Sequence, residues 1–252
     1  MPDPAFKSPD LPQIRIVKTI PKATQQQLSS YKHCYMGISL DNPSFYGRSL
    51  QALLLWAAGN YEQCLVIVGD FLRRYNEQIF SGTAGEAAEN ASLQSGENYI
   101  AQTREIFSRF SEPAVKIIRW KDCLEKEEYK KAKKVLDNLY DSDEAFRSSL
   151  QKDAFSFINR QKRNKQNPKV SIENAIDISS KYLLEEVAVF SALSEAGWNV
   201  EIYPGPELNV LVDIAGGSFR DVPAGLKKRI NIELQIDKQQ ITQGKKTGYS
   251  SQ

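Results

Sequence analysis

The sequence predicts an α/β protein in which helices flank a parallel sheet, with an added helical segment. Three apolar runs in the first half of the chain read as buried strands with helical stretches between them: "CYMGIS", "CLVIVGD" and "AVKIIRW". Continuous apolar runs are typical of strands that are covered on both faces. Their β-α-β-α-β order favours parallel pairing with right-handed crossovers, which is a Rossmann-like arrangement.

Around these strands, the first half of the chain predicts an arm and two helices. Residues 1–30 are rich in proline and predict an irregular arm with a short strand at 14–17. Leucines recur at helical spacing after the first buried strand, and Gly59 with Asn60 predicts the end of that helix. A longer helical stretch occupies residues 85–110.

The second half of the chain is mainly helical and ends in short strands. Residues 126–165 are helical in pattern, and 171–197 form an amphipathic helix with a polar N-terminal signature and a terminal glycine. "WNVEIYPG" and "NVLVDI" predict short strands, and residues 229–236 predict a last alternating one. We expect a single Rossmann-like domain over 31–236 and a polar, disordered tail over 237–252.

Composition excludes several classes of protein. The longest apolar runs hold about five residues, far too few to cross a bilayer, and no cationic start with an apolar block predicts a signal peptide. We therefore expect a cytoplasmic protein without membrane partners. Three cysteines without a CxxC pair (Cys34, Cys64 and Cys123) and a single histidine, His33, predict neither disulfides nor a metal site. The cysteines are expected to be small buried hydrophobes.

Ser39 ends the first buried strand, and Asn42 follows closely. One interpretation is structural, since Ser, Asp, Asn and Pro are common turn residues. The other is chemical, because ligands bind at the carboxyl ends of strands in open α/β sheets. A Ser-His-Asp triad is excluded: His33 lies six residues earlier in the same strand, roughly 20 Å away. No glycine-rich phosphate loop is present either.

Three segments carry a family resemblance. They are "GISLDNPSF", "LLLWAAGNYEQCLVIVGD" and "YLLEEVAVF", and the matching positions are Gly37, Ile38, Ser39, Asn42, Phe45, Trp56, Asp70, Tyr182, Glu186 and Phe190. In this order and spacing the sequence resembles the tRNA-dependent cyclodipeptide synthases, over roughly residues 30 to 205.

The resemblance implies a fold similar to the catalytic domain of class I aminoacyl-tRNA synthetases, without their ATP-binding motifs. Such an enzyme takes two aminoacyl-tRNAs and releases a cyclic dipeptide, a diketopiperazine, together with two free tRNAs. Because aminoacyl-tRNA is already an activated ester, no cofactor and no metal are expected. A covalent ester on Ser39 would hold the first aminoacyl group, with ping-pong behaviour. The family also implies a monomer.

The same resemblance assigns further residues to the site. Tyr182 and Glu186 lie four apart on a predicted helix, so they share a face; they would bind the α-ammonium group, and the carboxylate would assist proton removal. The alternative is a helix face with a half-buried tyrosine and a solvated glutamate, as expected for Glu185. Asn42 would orient the substrate, and Tyr203 would contribute to the site. Asn42 is typical of one family subgroup and the Tyr203–Pro204 pair of the other, so the subgroup stays open.

Two surfaces complete the expected site. An apolar pocket for the first amino acid is predicted near Ser39, although each candidate is also an ordinary core residue; the candidates are Tyr35, Gly37, Ile67, Trp120 and Val189. The helical stretch 85–110 carries too many glutamates to bind a phosphate backbone. We expect the run 159–169 to contact tRNA instead, through Arg160, Lys162, Arg163, Lys165 and Lys169; a solvated connection between helices is the alternative.

Two other functions stay open at this point. A Rossmann-like aminoacyltransferase would move one residue from tRNA to another acceptor, and product analysis separates it from a cyclodipeptide synthase. A non-catalytic tRNA- or protein-binding module on the same scaffold would keep its behaviour when Ser39 is replaced with alanine. The sequence leaves the two amino acids unidentified.

Overall fold

Within residues 11–237, the part of the chain that this computed structural model describes, six strands form one sheet. They are β1 (Ile14–Ile20), β2 (His33–Ile38), β3 (Gln63–Val68), β4 (Val115–Arg119), β5 (Val200–Tyr203) and β6 (Ile230–Ile236). Their order is β1-β6-β5-β2-β3-β4. All neighbours are parallel except β1, which pairs antiparallel with β6 at one edge. The predicted α/β class is confirmed.

Helices cover both faces of the sheet. Their bounds are α1 (Gln25–Ser29), α2 (Gly47–Asn60), α3 (Arg74–Asn76), α4 (Gly85–Phe107), α5 (Trp120–Leu124), α6 (Glu127–Ser142), α7 (Glu144–Arg163), α8 (Ile172–Glu195), α9 (Asn209–Ala215) and α10 (Ala224–Lys228). The start of α8 follows its sequence signal, because the Ser171 side chain accepts a hydrogen bond from the Asn174 amide. Gly197, with φ of 93°, follows its end.

The continuous apolar runs of β2 and β3 are explained by two cores. Successive side chains of a strand point to opposite faces of the sheet. Cys34 and Met36 pack with α2 and α4 on one face, whereas Tyr35 and Leu65 pack with α6, α7 and α8 on the other. Both faces of these central strands are therefore buried. All three cysteines are buried free thiols, as expected.

One prediction about an element is corrected and another is confirmed. "NVLVDI" is not a strand but helix α9, because the buried Asp153 of α7 accepts hydrogen bonds from the amides of Asn209 and Val210 and so caps the helix start. The short strand expected at 14–17 is present as part of β1, which pairs with β6. The tail predicted over 237–252 lies outside the described residues except for Asp237, as do residues 1–10 of the arm.

The strand order reverses at β2. From there the chain continues through β3 and β4 on one side, and β5 and β6 add on the other. In open α/β sheets, ligands bind beyond the carboxyl ends of the strands at such a switch point. Strands β2 and β5 end side by side at Ile38 and Tyr203, so this edge is where a site is expected.

Candidate active site

A cavity of about 800 Å³ opens at this switch point. Its walls come from strands β2, β5 and β6, from the residues just after β3 and β4, and from helices α7 and α8. The five residues predicted as catalytic all line it, although they are far apart in sequence: Ser39, Asn42, Tyr182, Glu186 and Tyr203. The fold thus brings together the residues that the family resemblance singled out.

Ser39 is the first residue after β2 and is half-buried. Its carbonyl accepts the Asn42 amide at 3.0 Å, which closes a turn, while its hydroxyl makes no hydrogen bond with any residue that the structure describes. The neighbouring strand end approaches closely: a Cβ atom on Gly69 would lie 2.7 Å from the Ile38 carbonyl oxygen, so only glycine fits there. Ser39 Oγ is therefore an accessible hydroxyl on a tightly held strand end.

Asn42 links the turn after β2 to the end of β5. Its Oδ1 accepts the Ser44 amide at 3.0 Å, and its side chain lies near the Tyr203 phenol. Burial raises the pKa of Tyr203, and the nearby Asn42 side chain opposes that shift. The Tyr203 ring also packs on Phe45, with ring centroids 5.7 Å apart. These contacts hold the phenol at the rim of the cavity.

Tyr182 and Glu186 lie one turn apart on α8 and face the same cavity. Burial, and then the Glu186 carboxylate, raise the pKa of Tyr182 well above its usual value, so the phenol stays protonated near neutral pH. Burial raises the pKa of Glu186 to about 8, and the carboxylates of Glu201 and Glu207 add to the shift. Within residues 11–237, no group donates a hydrogen bond to this carboxyl group. Glu186 can therefore exchange a proton near neutral pH.

Glu185 differs from the solvated residue that the sequence suggested. It is 3% exposed, and both of its oxygens accept hydrogen bonds from Arg74, at 2.9 and 2.5 Å. The Trp120 indole donates to the same carboxylate at 3.0 Å, and the Tyr75 hydroxyl donates at 3.1 Å. Since Trp120 lines the cavity, Glu185 holds one of its walls in place.

A second acidic cluster lies at the sheet side of the cavity and was missed from the sequence. Arg229 bridges Glu201 and Glu207, with its Nη1 atom 2.6 Å from Glu207 Oε2, and stacks on the Phe190 ring. Glu201, Glu207 and Asn231 all line the cavity. The sequence does contain a signal for this cluster. Glu201 and Asn231 are the polar positions of two alternating strands, and the apolar positions of those strands face the opposite core.

The residues predicted to form an apolar pocket separate into two groups. Gly37 and Trp120 line the cavity, and a Cβ atom on Gly37 would meet no atom within 4 Å. Tyr35, Ile67 and Val189 are instead completely buried in the core between the sheet and α8, and they do not line the cavity. The wall near Ser39 is accordingly more polar than expected.

The predicted tRNA-contacting residues lie at the rim. Arg160 lines the main cavity, and Lys165 and Lys169 line an adjoining pocket of about 380 Å³. Lys162 and Arg163 are exposed at the end of α7.

In the described range, residues 11–237, no cluster of His, Cys, Asp and Glu side chains is arranged to hold a metal ion. No helix in that same part of the chain is long and apolar enough to span a membrane.

Comparison with known proteins decides the family. The sequence model of cyclodipeptide synthases matches residues 16–195, which is most of the chain. The chain belongs to the cyclodipeptide synthase family. It is therefore an enzyme of this family, as the sequence predicted. A search of curated proteins finds no matching relative.

Solved cyclodipeptide synthases share the fold. A synthase from Fluoribacter dumoffii has a TM-score of 0.77 at 17% identity, covering 90% of this chain and 98% of that one. One from Bacillus thermoamylovorans has a TM-score of 0.72 at 20% identity, covering 91% and 98%. One from Candidatus Glomeribacter gigasporarum, bound to Phe-tRNAPhe, has a TM-score of 0.58 at 16% identity, covering 86% and 92%. At these identities the similarity establishes the cyclodipeptide synthase fold.

Proposed function

We propose that this cyclodipeptide synthase joins two aminoacyl groups delivered by tRNA, through an aminoacyl ester on Ser39. The observation that carries the proposal is the free Ser39 hydroxyl in one cavity with Tyr182 and Glu186. A relative of the same fold binds Phe-tRNAPhe, which supports aminoacyl-tRNA as the substrate. The switch-point location supports ligand binding at this edge.

In the first step, Ser39 Oγ attacks the carbonyl carbon of the aminoacyl ester. The bond from that carbon to the tRNA ribose oxygen breaks, and the serine proton passes to the departing ribose oxygen. One ester replaces another, so no ATP and no redox partner are consumed. The free tRNA leaves before the second substrate reacts, which is a ping-pong sequence.

In the second step, the α-amine of another aminoacyl-tRNA attacks the Ser39 ester. An amide forms, and Ser39 regains its proton and hydroxyl. The amine of the first residue then attacks the ester that still joins the second residue to its tRNA. This closes the six-membered ring and releases the second tRNA, so two esters become two amides.

Tyr182 and Glu186 are suited to the amine in both steps. A protonated phenol and a carboxyl group one helical turn apart bind an α-ammonium group from one side. Because the pKa of Glu186 is raised to about 8, its carboxylate accepts a proton from the amine more readily than an ordinary glutamate would. Asn42 and Tyr203, which both line the cavity, position the ester on the opposite rim.

The tRNA body is proposed to bind along the end of α7 and the loop behind it. Five positive side chains lie on this edge, two of them at the pocket next to the cavity: Arg160, Lys162, Arg163, Lys165 and Lys169. On α4, by contrast, glutamates outnumber arginines. Phosphate contacts from these residues would make tRNA binding salt-dependent and largely independent of tRNA sequence.

The test is product formation by the Ser39→Ala variant. The protein is incubated with a mixture of aminoacyl-tRNAs, and cyclic dipeptides are measured by mass spectrometry. We expect the variant to lose about 10³-fold or more of the activity, because the nucleophile is removed. Acid-quenched wild-type protein should carry an aminoacyl adduct on the peptide that contains Ser39.

Ser44→Ala is the matched control, since Ser44 lies in the same turn and does not line the cavity. It should retain normal product formation. Retained activity in Ser39→Ala, or an adduct on another residue, would contradict the ester intermediate. Transfer of the amino acid to a different acceptor, with no cyclic dipeptide, would contradict the proposed reaction.

A further inference from the structure

A row of polar side chains crosses three neighbouring strands beside the cavity, and two of its three members line the cavity. Tyr35 of β2 is in register with Glu201 of β5, which is in register with Asn231 of β6. Residues paired in this way point to the same face of the sheet. All three are nearly completely buried, with 0%, 3% and 1% exposure. Glu201 and Asn231 form part of the cavity wall.

The hydrogen bonds of this row leave acceptors unused. Glu201 Oε2 accepts the Tyr35 hydroxyl at 3.0 Å and Arg229 Nε at 2.8 Å. Glu201 Oε1 has no such partner among the described residues, and neither does Asn231 Oδ1. A buried acceptor without a donor costs about 1–3 kcal/mol, so such atoms are usually satisfied by a ligand or water.

The charge of the cluster points to the kind of ligand. Arg229 supplies one positive charge against two carboxyl groups, those of Glu201 and Glu207. Burial raises the pKa of Glu201 to about 7, so part of the negative charge of the cluster stays uncompensated near neutral pH. Glu186 adds a further carboxyl group on the facing helix. Asp153 also lines the cavity, but the start of α9 uses its oxygens. A hydrogen-bond donor, and above all a cationic one, complements this wall.

We propose that Glu201 and Asn231 form a side-chain subsite for an amino acid that donates hydrogen bonds, with cationic side chains preferred. The subsite rests on the proposed function, because its ligand is one of the two aminoacyl groups. It lies on the sheet side of the cavity, whereas Tyr182 and Glu186 on α8 bind the α-ammonium group. The enzyme would thus incorporate lysine, arginine, histidine or a polar amide rather than an aliphatic residue.

A subsite of this kind discriminates strongly between side chains that donate hydrogen bonds and hydrocarbon side chains. A hydrocarbon side chain would leave Asn231 Oδ1 buried without a donor and would offer none to Glu201 Oε1. Sites built to hydrogen-bond a substrate reject analogues that lack the group by large factors. Replacing the acceptor with an apolar side chain removes this penalty. The same change should therefore lower turnover of donor-bearing substrates and raise that of aliphatic ones.

The experiment measures the cyclic dipeptides formed from all twenty aminoacyl-tRNAs in one mixture. Wild-type protein should produce cyclic dipeptides that contain at least one donor-bearing side chain. Asn231→Leu should reduce them about 100-fold relative to aliphatic products. Glu201→Gln should reduce products with cationic side chains more than those with neutral amides, because glutamine keeps an acceptor oxygen but carries no negative charge.

Asn199→Leu is the matched control. Asn199 also has a buried Oδ1 without a hydrogen-bond partner in the described chain, and it lies just before β5, but it does not line the cavity. This variant should keep the wild-type product profile. Thermal unfolding of all variants separates loss of fold from changed selectivity. If Asn231→Leu does not fold, the cyclic dipeptides made by the wild type still test whether donor-bearing side chains are preferred.

Two outcomes would overturn the inference. Cyclic dipeptides made only from hydrocarbon side chains would do so while leaving the proposed function intact. An Asn231→Leu profile identical to that of Asn199→Leu would show that water, not substrate, satisfies the amide. Absence of any cyclic dipeptide would overturn the proposed function, and the subsite with it.

Discussion

Glu185 and Glu186 are neighbours on α8, yet the structure gives them opposite environments. Glu185 is buried and accepts hydrogen bonds from Arg74, Tyr75 and Trp120. Glu186 lines the cavity, receives no hydrogen bond from residues 11–237 and faces other carboxyl groups. One glutamate is therefore fully engaged by hydrogen-bond donors, and the other is poised to change its protonation.

The difference follows from helix geometry. Successive residues of an α-helix are rotated by about 100°, so neighbours face different partners. Glu185 meets Arg74 in the segment after β3, whereas Glu186 points to the edge of the sheet where Glu201 and Glu207 lie. The comparison teaches that a satisfied carboxylate contributes to the structure of the wall, while an unsatisfied one is available for chemistry.

The largest expected effect comes from Glu186→Gln. Loss of the carboxylate should reduce product formation by about 10²–10⁴-fold, the usual contribution of a general base. Stability should not fall, because no donor loses its partner. The measurement is kcat/KM for cyclic dipeptide formation together with thermal unfolding. Glu195→Gln, on an exposed position of the same helix, should change neither quantity.

The Glu186→Gln variant distinguishes a glutamate that takes part in the reaction from one that stabilises the fold. If Glu186→Gln were as active as wild type, the carboxyl group would have no part in proton transfer or ammonium binding. If the variant lost stability instead of activity, Glu186 would resemble its neighbour, and the comparison would break down.

Glu185→Gln should act on stability. The change leaves the Arg74 guanidinium largely buried without its counter-charge, which costs about 3 kcal/mol, although the amide oxygen retains one acceptor. Urea unfolding measures the loss. Trp120 fluorescence reports whether the indole at the cavity wall has moved.

Glu62→Gln serves as the control for this variant. It removes an ion pair with Lys32 in which both side chains are more than 60% exposed, so the loss should stay below about 1 kcal/mol. An equally small loss in Glu185→Gln would mean that the buried network does not stabilise the fold.

The smallest expected effect is the pH dependence of the reaction. With the pKa of Glu186 raised to about 8, kcat/KM of the wild type should rise about tenfold per pH unit up to that value and then level off. Glu186→Gln should lose this slope. Parallel reactions without enzyme correct for hydrolysis of the aminoacyl ester, and a wild-type profile that is flat between pH 6 and about 8 would contradict the assignment.

The stability of the fold should also depend on the ionisation of Glu186, but it should fall over the pH range in which kcat/KM rises. The folded state holds the Glu186 proton more tightly than the unfolded state does, since the pKa rises from 4.5 to about 8 on folding. The contribution of this group is therefore complete below about pH 4.5 and is lost as pH rises through about 8. Urea unfolding at several pH values should show a decline that Glu186→Gln lacks.

Much of this protein can be predicted from local pattern alone. Apolar runs locate β2, β3 and β4, and the Ser171 and Gly197 signals bound α8. The four-residue spacing of Tyr182 and Glu186 places them on one face of α8. Ser39 is recognised as a candidate because it follows a buried strand in a family motif. These features depend on residues that are close in sequence.

Other features depend on residues that are distant in sequence. "NVLVDI" becomes helix α9 because Asp153 of α7 reaches its first amides. Val189 lies on the same helix as the site residues, yet it faces the core. The polar wall of the cavity exists because β5 and β6 pair so that Glu201 lies beside Asn231.

The sequence by itself therefore determined the fold class, the strand that leads to Ser39 and the helix face that carries Tyr182 and Glu186. Only the tertiary structure decided that Glu185 is buried against Arg74 and that the wall beyond Ser39 is polar. The physical reason is that periodicity sets which side chains share a face. What that face meets depends on contacts between elements more than 100 residues apart, as for Arg74 and Glu185 at a separation of 111.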